Sequence, residues 1–153
     1  MNKTLKRNLL LIAVCFCVLP AAAQLSSNPY KFFGNITTRG AVEAGGGIPK
    51  YYTLWNQITC ENESKWASVE GNRGNFNWGS DKAFNYAIDH NFTYKFHALV
   101  WGAQYPGWLE SLSAGERFAA LTNWFDHAKE HYNTLPMIDV VNEAILADRK
   151  SVV

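Results

Sequence analysis

The chain has 153 residues, of which 48% are hydrophobic, and this is enough to build the core of one domain. Its formal net charge of +1 gives no basic surplus for binding nucleic acid or an anionic membrane surface. Aromatic residues make up 14% of the chain and include 6 Trp, and flat aromatic rings form platforms for sugars as well as filling cores. A sugar is therefore favoured as the partner.

Residues 1–23 have the pattern of a secretory signal peptide. Three basic residues precede an apolar run, 9–19, that is too short to span a bilayer, and Ala21–Ala23 offers a cleavage site. A lipoprotein signal at Cys15 ranks second, because the residue before this cysteine is not small. We predict a secreted protein, extracellular or periplasmic, with no stable membrane association. Cys60 would be the single cysteine of the mature chain, so neither an intrachain disulfide nor a cysteine-based metal site is predicted.

The mature chain then alternates between strand and helix patterns. Short apolar runs predict a first strand at Tyr30–Ile36 and a second at Gln57–Thr59. Between them, a glycine-rich loop that reaches Pro49 leads into a short helix at Tyr51–Trp55. The glycines match neither of the common phosphate-binding patterns, so they are interpreted as a loop.

Polar residues gather directly after the second strand. Glu61, Asn62 and Lys65 can hydrogen-bond the adjacent hydroxyls of a sugar ring, while the indole of Trp66 covers a face of that ring. A solvated, charged turn is the alternative that this segment alone leaves open.

The next unit is a helix followed by a third strand. Ser80 is predicted to cap a helix that ends near His90, with this histidine exposed. The strand Thr93–Trp101 contains His97 and is followed by Gln104. A histidine inside an apolar strand is usually a satisfied core residue, but its position before a Trp and a Gln fits a ligand-facing role at least as well. The apolar face of the helix is predicted to consist of Ala83, Phe84, Ala87 and Ile88.

A second, longer helix precedes the last strand. Pro106–Trp108 predicts a short helical turn, and Ser113–Glu116 forms a capping box that opens a helix ending near Asn133. His127 and His131 have a spacing that could hold a metal, but the helix lacks the Glu of a zinc-protease motif, so both are predicted to be surface residues. The apolar face is predicted to consist of Phe118, Leu121, Trp124, Phe125 and Ala128.

The apolar, β-branched run Met137–Val141 predicts a strand buried on both faces. It ends in Asn142 and Glu143, where a carboxyl group could donate a proton while its neighbour holds a substrate hydroxyl. The alternative is a strand end whose Asn opens a turn and whose Glu is solvated or ion-paired. Because strands alternate with helices, a parallel sheet is predicted, and the polar clusters after three successive strands would then share one site at one edge.

Three segments resemble, in order, the hallmark segments of glycoside hydrolase family ten, the endo-β-1,4-xylanases. They are Glu61-Asn62-x-x-Lys65-Trp66, the segment from His97 through Trp101 and Gln104 to Trp108, and Asp139-Val140-Val141-Asn142-Glu143-Ala144. The resemblance extends from about Phe32 to Ile145 and is specific, because three independent motifs occur with the right order and spacing.

The resemblance implies a (β/α)₈ TIM barrel of the α/β class, of which only the first half, strands 1–4, is present. Residues 24–147 would be this half, and the tail 148–153 looks non-native. The implied activity is retaining hydrolysis of xylan by double displacement, with no cofactor and no metal. Glu143 matches the general acid/base. The matches to substrate-binding residues are Glu61, Asn62, Lys65, His97, Trp101, Gln104 and Asn142.

The chain also departs from the family pattern. Cys60 stands where the family usually has Pro, Gly102 where it has His, and Ile138 where it has Trp. The family's nucleophile, a Glu on a late barrel strand, has no counterpart, so the chain as it stands is predicted to be inactive. An open half-barrel should leave a sheet edge unpaired and its core uncovered.

Two other functions remain open at this point. One is another retaining barrel glycosidase, such as a β-glucanase. The other is a non-catalytic carbohydrate-binding protein that uses Trp66 and Trp101 as platforms.

Overall fold

The computed structural model describes Asn28, residues 30–37 and residues 50–144. The predicted signal peptide, the glycine-rich loop up to Pro49 and the predicted tail lie outside the described residues. The elements are β1 (Gly34–Thr37), α1 (Tyr51–Leu54), β2 (Gln57–Cys60), α2 (Trp66–Val69), α3 (Asp81–Asp89), β3 (Thr93–Trp101), a 3₁₀ helix (Gly107–Ser111), α4 (Ala114–His131) and β4 (Met137–Asn142).

The four strands form one sheet in the order β1-β2-β3-β4, and every neighbouring pair is parallel. This confirms the predicted parallel sheet. Strand order follows chain order, so each helical connection leads to the next strand, as in the first half of a barrel. β3 is confirmed with its predicted bounds, and its register with β4 shifts between His97 and Val100.

One face of the sheet is covered by helices and carries an aromatic core. Tyr94 and Phe96 of β3 are almost completely buried on this face. Trp124 of α4 lies at the centre, with its indole stacked on those of Trp66 at 5.9 Å and Trp78 at 5.6 Å between ring centroids. Large buried rings dominate core energetics, and truncating such a Trp typically costs about 3–5 kcal/mol. α4 is therefore held to the sheet through Trp124.

A chain of polar contacts crosses from this core to the surface. Ser80 directly precedes α3, but its side chain makes no capping hydrogen bond. The buried Ser80 hydroxyl lies instead 2.7 Å from the hydroxyl of Tyr132, which donates to Oδ1 of Asp81 at 2.7 Å. Nε2 of His131 lies 2.7 Å from the same oxygen. The prediction that Ser80 caps the helix was wrong in its mechanism, because the hydroxyl links α3 to the end of α4.

The capping box at Ser113 is confirmed in both of its hydrogen bonds. The predicted apolar faces of the two helices are only partly confirmed, because Ile88 is 61% exposed and Phe118 is 67% exposed. His90 is half-buried rather than exposed, since its ring stacks on Tyr86 at a centroid distance of 4.0 Å.

β4 is not buried on both faces as predicted. Val140 is 49% exposed and Val141 is 54% exposed. The reason is its position: β4 is the last strand of the sheet, and in the described part of the chain only β3 pairs with it. Within the described residues, β4 therefore forms the predicted unpaired edge of the sheet. None of the helices in the described residues has the length and hydrophobicity needed to cross a bilayer.

We expect Tyr132→Phe to lower the free energy of unfolding by about 1–3 kcal/mol, because it removes a buried hydroxyl that serves Ser80 and Asp81. Urea unfolding followed by Trp fluorescence measures the change. Tyr105→Phe is the matched control, since this hydroxyl makes only a surface contact to Glu110 and its loss should cost less than about 0.5 kcal/mol. Equal stabilities of the two variants would contradict the role of the Tyr132 contact.

Candidate active site

The turn after β2 places a lysine inside the site. Lys65 directly precedes α2, is only 6% exposed, and its ammonium donates to Oδ1 of Asn62 at 2.9 Å. The same ammonium lies over the ring of Trp101 at 4.5 Å from the centroid, in the geometry of a cation–π contact. The ends of β2 and β3 therefore meet at this lysine.

The ends of β3 and β4 meet at a carboxylate. Nε1 of Trp101 donates to Oε2 of Glu143 at 2.8 Å, and Trp101 is in register with Asn142. Glu143 has a backbone φ of 54°, in the left-handed region that residues other than Gly and Asn rarely adopt. Backbone strain of this kind costs on the order of 1–3 kcal/mol and is concentrated at functional sites.

The Lys65 ammonium is surrounded by more negative than positive charge. Burial lowers the pKa of the Lys65 ammonium below its usual value. The carboxylates of Glu61, Glu63 and Glu143 act in the opposite direction and offset part of this effect. One buried cation thus lies among three acidic groups, an arrangement that can hydrogen-bond a polyhydroxylated ligand through both donors and acceptors.

His97 lies four residues before Trp101 on β3, and its ring contacts Asp139 of β4. Nδ1 of His97 and Nζ of Lys95 each lie 2.8 Å from Oδ2 of Asp139. Burial would raise the pKa of Asp139, but the hydrogen bonds from Lys95 and His97 outweigh it and hold this pKa below its usual value. Asp139 therefore links two side chains of β3 to the neighbouring strand.

The predicted site residues are for the most part brought together. Lys65 and Glu143 both contact the Trp101 side chain. Gln104 lies in the turn after β3, where its backbone N–H donates to the carbonyl of Trp101 at 3.1 Å. Lys95 was missed as part of this environment. The alternation along β3 could have identified Lys95, because it shares a sheet face with His97.

Trp66 was wrongly predicted to cover a sugar ring. It lies in α2, a helix that the sequence analysis did not predict, and it is only 2% exposed. Its Nε1 donates to Oε2 of Glu70 at 2.7 Å, and its ring packs in the aromatic core. This removes one of the two platforms on which the carbohydrate-binding alternative depended.

Cys60, the last residue of β2, is completely buried. The hydroxyl of Tyr94 donates to its Sγ at 3.7 Å, and burial raises the pKa of its thiol to about 11. Such a thiol is unreactive at neutral pH and serves packing. Within residues 30–37 and 50–144, no group of three or more His, Cys, Asp or Glu side chains could hold a metal ion. His127 and His131 stack on Phe76 and Trp78 instead.

The sequence profile of Glycosyl hydrolase family 10 matches residues 23–152. The chain belongs to this family. Among curated relatives, endo-1,4-beta-xylanase B of Cellvibrio japonicus is 47% identical over 116 residues, covering 75% of this chain and 18% of the relative. Endo-1,4-beta-xylanase 3 of Hypocrea jecorina is 29% identical over 120 residues, covering 76% of this chain and 35% of the relative.

Solved family 10 structures show the same fold. An endo-beta-1,4-xylanase of Gloeophyllum trabeum superposes with a TM-score of 0.65 at 25% identity, over 76% of this chain and 39% of that one. A Cellvibrio japonicus xylanase in complex with xylopentaose superposes with a TM-score of 0.55 at 32% identity, over 61% of this chain and 20% of that one. The four-stranded sheet therefore corresponds to the first half of a (β/α)₈ barrel, and the chain spans less than half the length of these proteins.

We expect the ionised Asp139 carboxylate to contribute to the free energy of unfolding, and this contribution to be lost at acidic pH. Because the pKa of Asp139 is lower in the folded chain than its usual value, its contribution is fully present above that usual value, near pH 4, and is lost as the pH falls through the folded pKa. Asp139→Asn should therefore flatten the fall of the unfolding free energy in this range. The measurement is urea unfolding at a series of pH values, with Asp126→Asn, an exposed residue of α4, as the control. Parallel curves for the wild type and Asp139→Asn would contradict the assignment.

Proposed function

We propose that this chain forms the acid/base half of a retaining endo-β-1,4-xylanase, with Glu143 as the general acid/base. The observation that carries the proposal is the convergence of Lys65, Trp101 and Glu143 from three successive strand ends. In a retaining mechanism, the protonated carboxyl group gives its proton to the glycosidic oxygen while a second carboxylate attacks the anomeric carbon. The same group, now ionised, then takes a proton from the water that hydrolyses the glycosyl-enzyme.

The geometry supports this role for Glu143. The indole N–H of Trp101 fixes one carboxylate oxygen at 2.8 Å, and the left-handed backbone at Glu143 sets the direction in which its side chain leaves the strand end. A general acid must be held within hydrogen-bonding reach of the oxygen that it protonates. The contact with the Trp101 indole limits the positions that the Glu143 carboxyl group can take and so supports its proposed role as the acid.

Xylan is the proposed substrate. The relatives are endo-1,4-beta-xylanases, and one structural neighbour is a complex with xylopentaose. Glu61, Asn62 and Lys65 are proposed to hydrogen-bond sugar hydroxyls on the non-reducing side of the scissile bond. Asn142 is proposed to bind the 2-hydroxyl of the sugar being cleaved. His97, Trp101 and Gln104 are proposed to form the walls and floor of the site beside this bond.

The second carboxylate is proposed to come from barrel strands beyond β4. Retaining hydrolysis needs two carboxyl groups about 5–5.5 Å apart, one of which forms the covalent intermediate. The open edge of β4 and the small share of the relatives' length that the chain spans support this proposal.

We therefore expect the purified 153-residue chain to release no reducing sugar from xylan, because proton donation alone cannot replace the covalent step. A protein extended to the length of its relatives should hydrolyse xylan faster than β-glucan. Reducing-sugar assays on both polymers measure this, and faster cleavage of β-glucan would favour the other glycosidase class. Hydrolysis of xylan by the 153-residue chain with retention of configuration would contradict the proposal.

In the extended protein, Glu143→Ala should lower kcat/KM on xylan by about 10²–10⁴-fold. The loss should be much smaller on an aryl xyloside whose leaving group needs no proton, which separates acid catalysis from misfolding. Glu130→Ala, an exposed residue of α4, is the control and should leave both activities unchanged. A non-catalytic carbohydrate-binding protein would instead keep its full function in Glu143→Ala.

Secretion is proposed from the signal-peptide pattern of residues 1–23. Residues 24–147 are proposed to form the barrel half, and the tail 148–153 is proposed not to belong to the barrel. N-terminal sequencing of the exported protein should begin at Gln24. An acylated cysteine at the mature N-terminus would establish the lipoprotein alternative and contradict this cleavage site. Sequencing of the genomic locus tests whether the tail is native.

A further inference from the structure

Glu70 ends the single-turn helix that follows Lys65, and its side chain is buried. It lies directly after α2 and is only 1% exposed. One carboxyl oxygen, Oε2, accepts from Nε1 of Trp66 at 2.7 Å, and the other, Oε1, accepts from the backbone N–H of Gly74 at 2.8 Å. A glutamate is almost never buried so completely unless its carboxyl group has such partners. The proposed mechanism gives this carboxyl group no role.

The Trp66 indole is held by stacking and by its hydrogen bond to Glu70, and the two contacts restrain different motions. Its ring is nearly parallel to that of Trp124, at 3° and 5.9 Å between centroids. Stacking of two flat rings restrains their tilt and separation, but one ring can still slide or turn in its own plane. A hydrogen bond is directional, so the contact to Glu70 fixes this remaining motion.

The orientation of Trp66 matters for Lys65 because the two residues are adjacent in one closed turn. The carbonyl of Lys65 accepts from the backbone N–H of Val69 at 3.0 Å, and that of Trp66 accepts from the N–H of Glu70 at 2.7 Å. The Trp66 side chain is buried in the core, while the Lys65 ammonium lies over the ring of Trp101 at 4.5 Å from the centroid. A rotation of the Trp66 indole would therefore turn the backbone that carries Lys65.

Contacts to β3 and to the loop after it flank this turn on both sides. Before Lys65, the hydroxyl of Ser64 donates to the carbonyl of His97 in β3. After Lys65, the carbonyl of Glu70 accepts from Nε1 of Trp108 at 3.0 Å, and Trp108 lies in the 3₁₀ helix that follows β3. Glu70 is thus the residue at which the Lys65 turn, the Trp66 indole and the loop after β3 meet.

We propose that Glu70 is a positioning residue for Lys65: by fixing the Trp66 indole it holds the Lys65 ammonium over the Trp101 ring. The consequence for a sugar rests on the proposed function, in which Lys65 hydrogen-bonds a hydroxyl on the non-reducing side of the scissile bond. Glu70 then contributes to the geometry of substrate binding and takes no part in proton transfer.

The test is nuclear magnetic resonance on the 153-residue chain, which does not depend on hydrolysis. Protons next to the Lys65 ammonium lie over the Trp101 ring, whose ring current displaces their signal upfield from that of an exposed lysine. Lys65→Arg identifies this signal by its loss. The indole N–H of Trp124, which donates to the carbonyl of Leu99 at 2.9 Å, reports on the core.

Three single variants and one double variant separate positioning from general stability. Glu70→Met removes both acceptors from a side chain of similar length. Glu70→Gln keeps an acceptor for the buried indole N–H, because the N–H of the exposed Gly74 can be hydrated instead. Trp66→Phe keeps a stacked ring and removes the N–H. The double variant of Glu70→Met and Trp66→Phe tests whether the effect passes through this one hydrogen bond.

Glu70→Met and Trp66→Phe should move the Lys65 signal towards the exposed-lysine position by equal amounts, with the Trp124 signal retained. The double variant should move it no further, and Glu70→Gln should stay close to the wild type. An unmoved Lys65 signal in Glu70→Met or Trp66→Phe, or a double-variant displacement equal to the sum of the single ones, would overturn the proposal. So would loss of the Trp124 signal in both single variants, because the pair would then hold the whole core.

In the extended protein, Glu70→Met should raise KM for xylan about tenfold, the equivalent of one hydrogen bond to a charged group, and should change kcat less. Glu110→Met, at an exposed position of the 3₁₀ helix, is the control and should leave KM unchanged. The expected spectra together with an unchanged KM in Glu70→Met would count against the proposed role of Lys65 in sugar binding, and the positioning of Lys65 by Glu70 would stand.

Discussion

The site depends on the parallel alignment of β2, β3 and β4, which brings their carboxyl ends to one edge of the sheet. Two contacts join these ends: the Lys65 ammonium over the Trp101 ring at 4.5 Å and the hydrogen bond from Trp101 to Glu143 at 2.8 Å. In an antiparallel sheet successive strand ends would lie at opposite edges, and these three side chains would not meet. The parallel strand order is therefore a precondition for the contacts among Lys65, Trp101 and Glu143.

The helix-covered face supplies the rigidity that this alignment needs. Trp124 of α4 packs against Trp66, which follows the Lys65 turn directly, and its Nε1 donates to the carbonyl of Leu99 in β3 at 2.9 Å. One buried indole thus anchors both the turn that carries the lysine and the strand that carries Trp101. Since the opposite face holds the Lys95, His97 and Asp139 group, the core and the polar site share the backbone of β3.

Local pattern was sufficient to predict β3, the capping box of α4 and the polar clusters at the strand ends. It failed where the answer depended on distant parts of the chain. Trp66 was placed against a sugar because nothing in its neighbourhood reveals that Trp124 covers it. Alternation along β3 places Lys95 on the same face as His97, but the contact of Lys95 with Asp139 follows from the register of β3 with β4, which alternation does not specify. Val140 and Val141 have the composition of a buried strand, yet they are exposed because β4 lies at the sheet edge.

We propose that the ends of β2, β3 and β4 assemble one sugar-binding site with Glu143 as its proton donor. The most direct measurement is a crystal structure of the extended protein, carrying Glu143→Gln to stop turnover, with a bound xylo-oligosaccharide. We predict that the side chain at position 143 lies within hydrogen-bonding distance of a glycosidic oxygen, with Lys65 and Trp101 contacting the sugar on its non-reducing side. An oligosaccharide bound at the other end of the sheet, or a side chain at 143 turned away from every glycosidic oxygen, would contradict the claim.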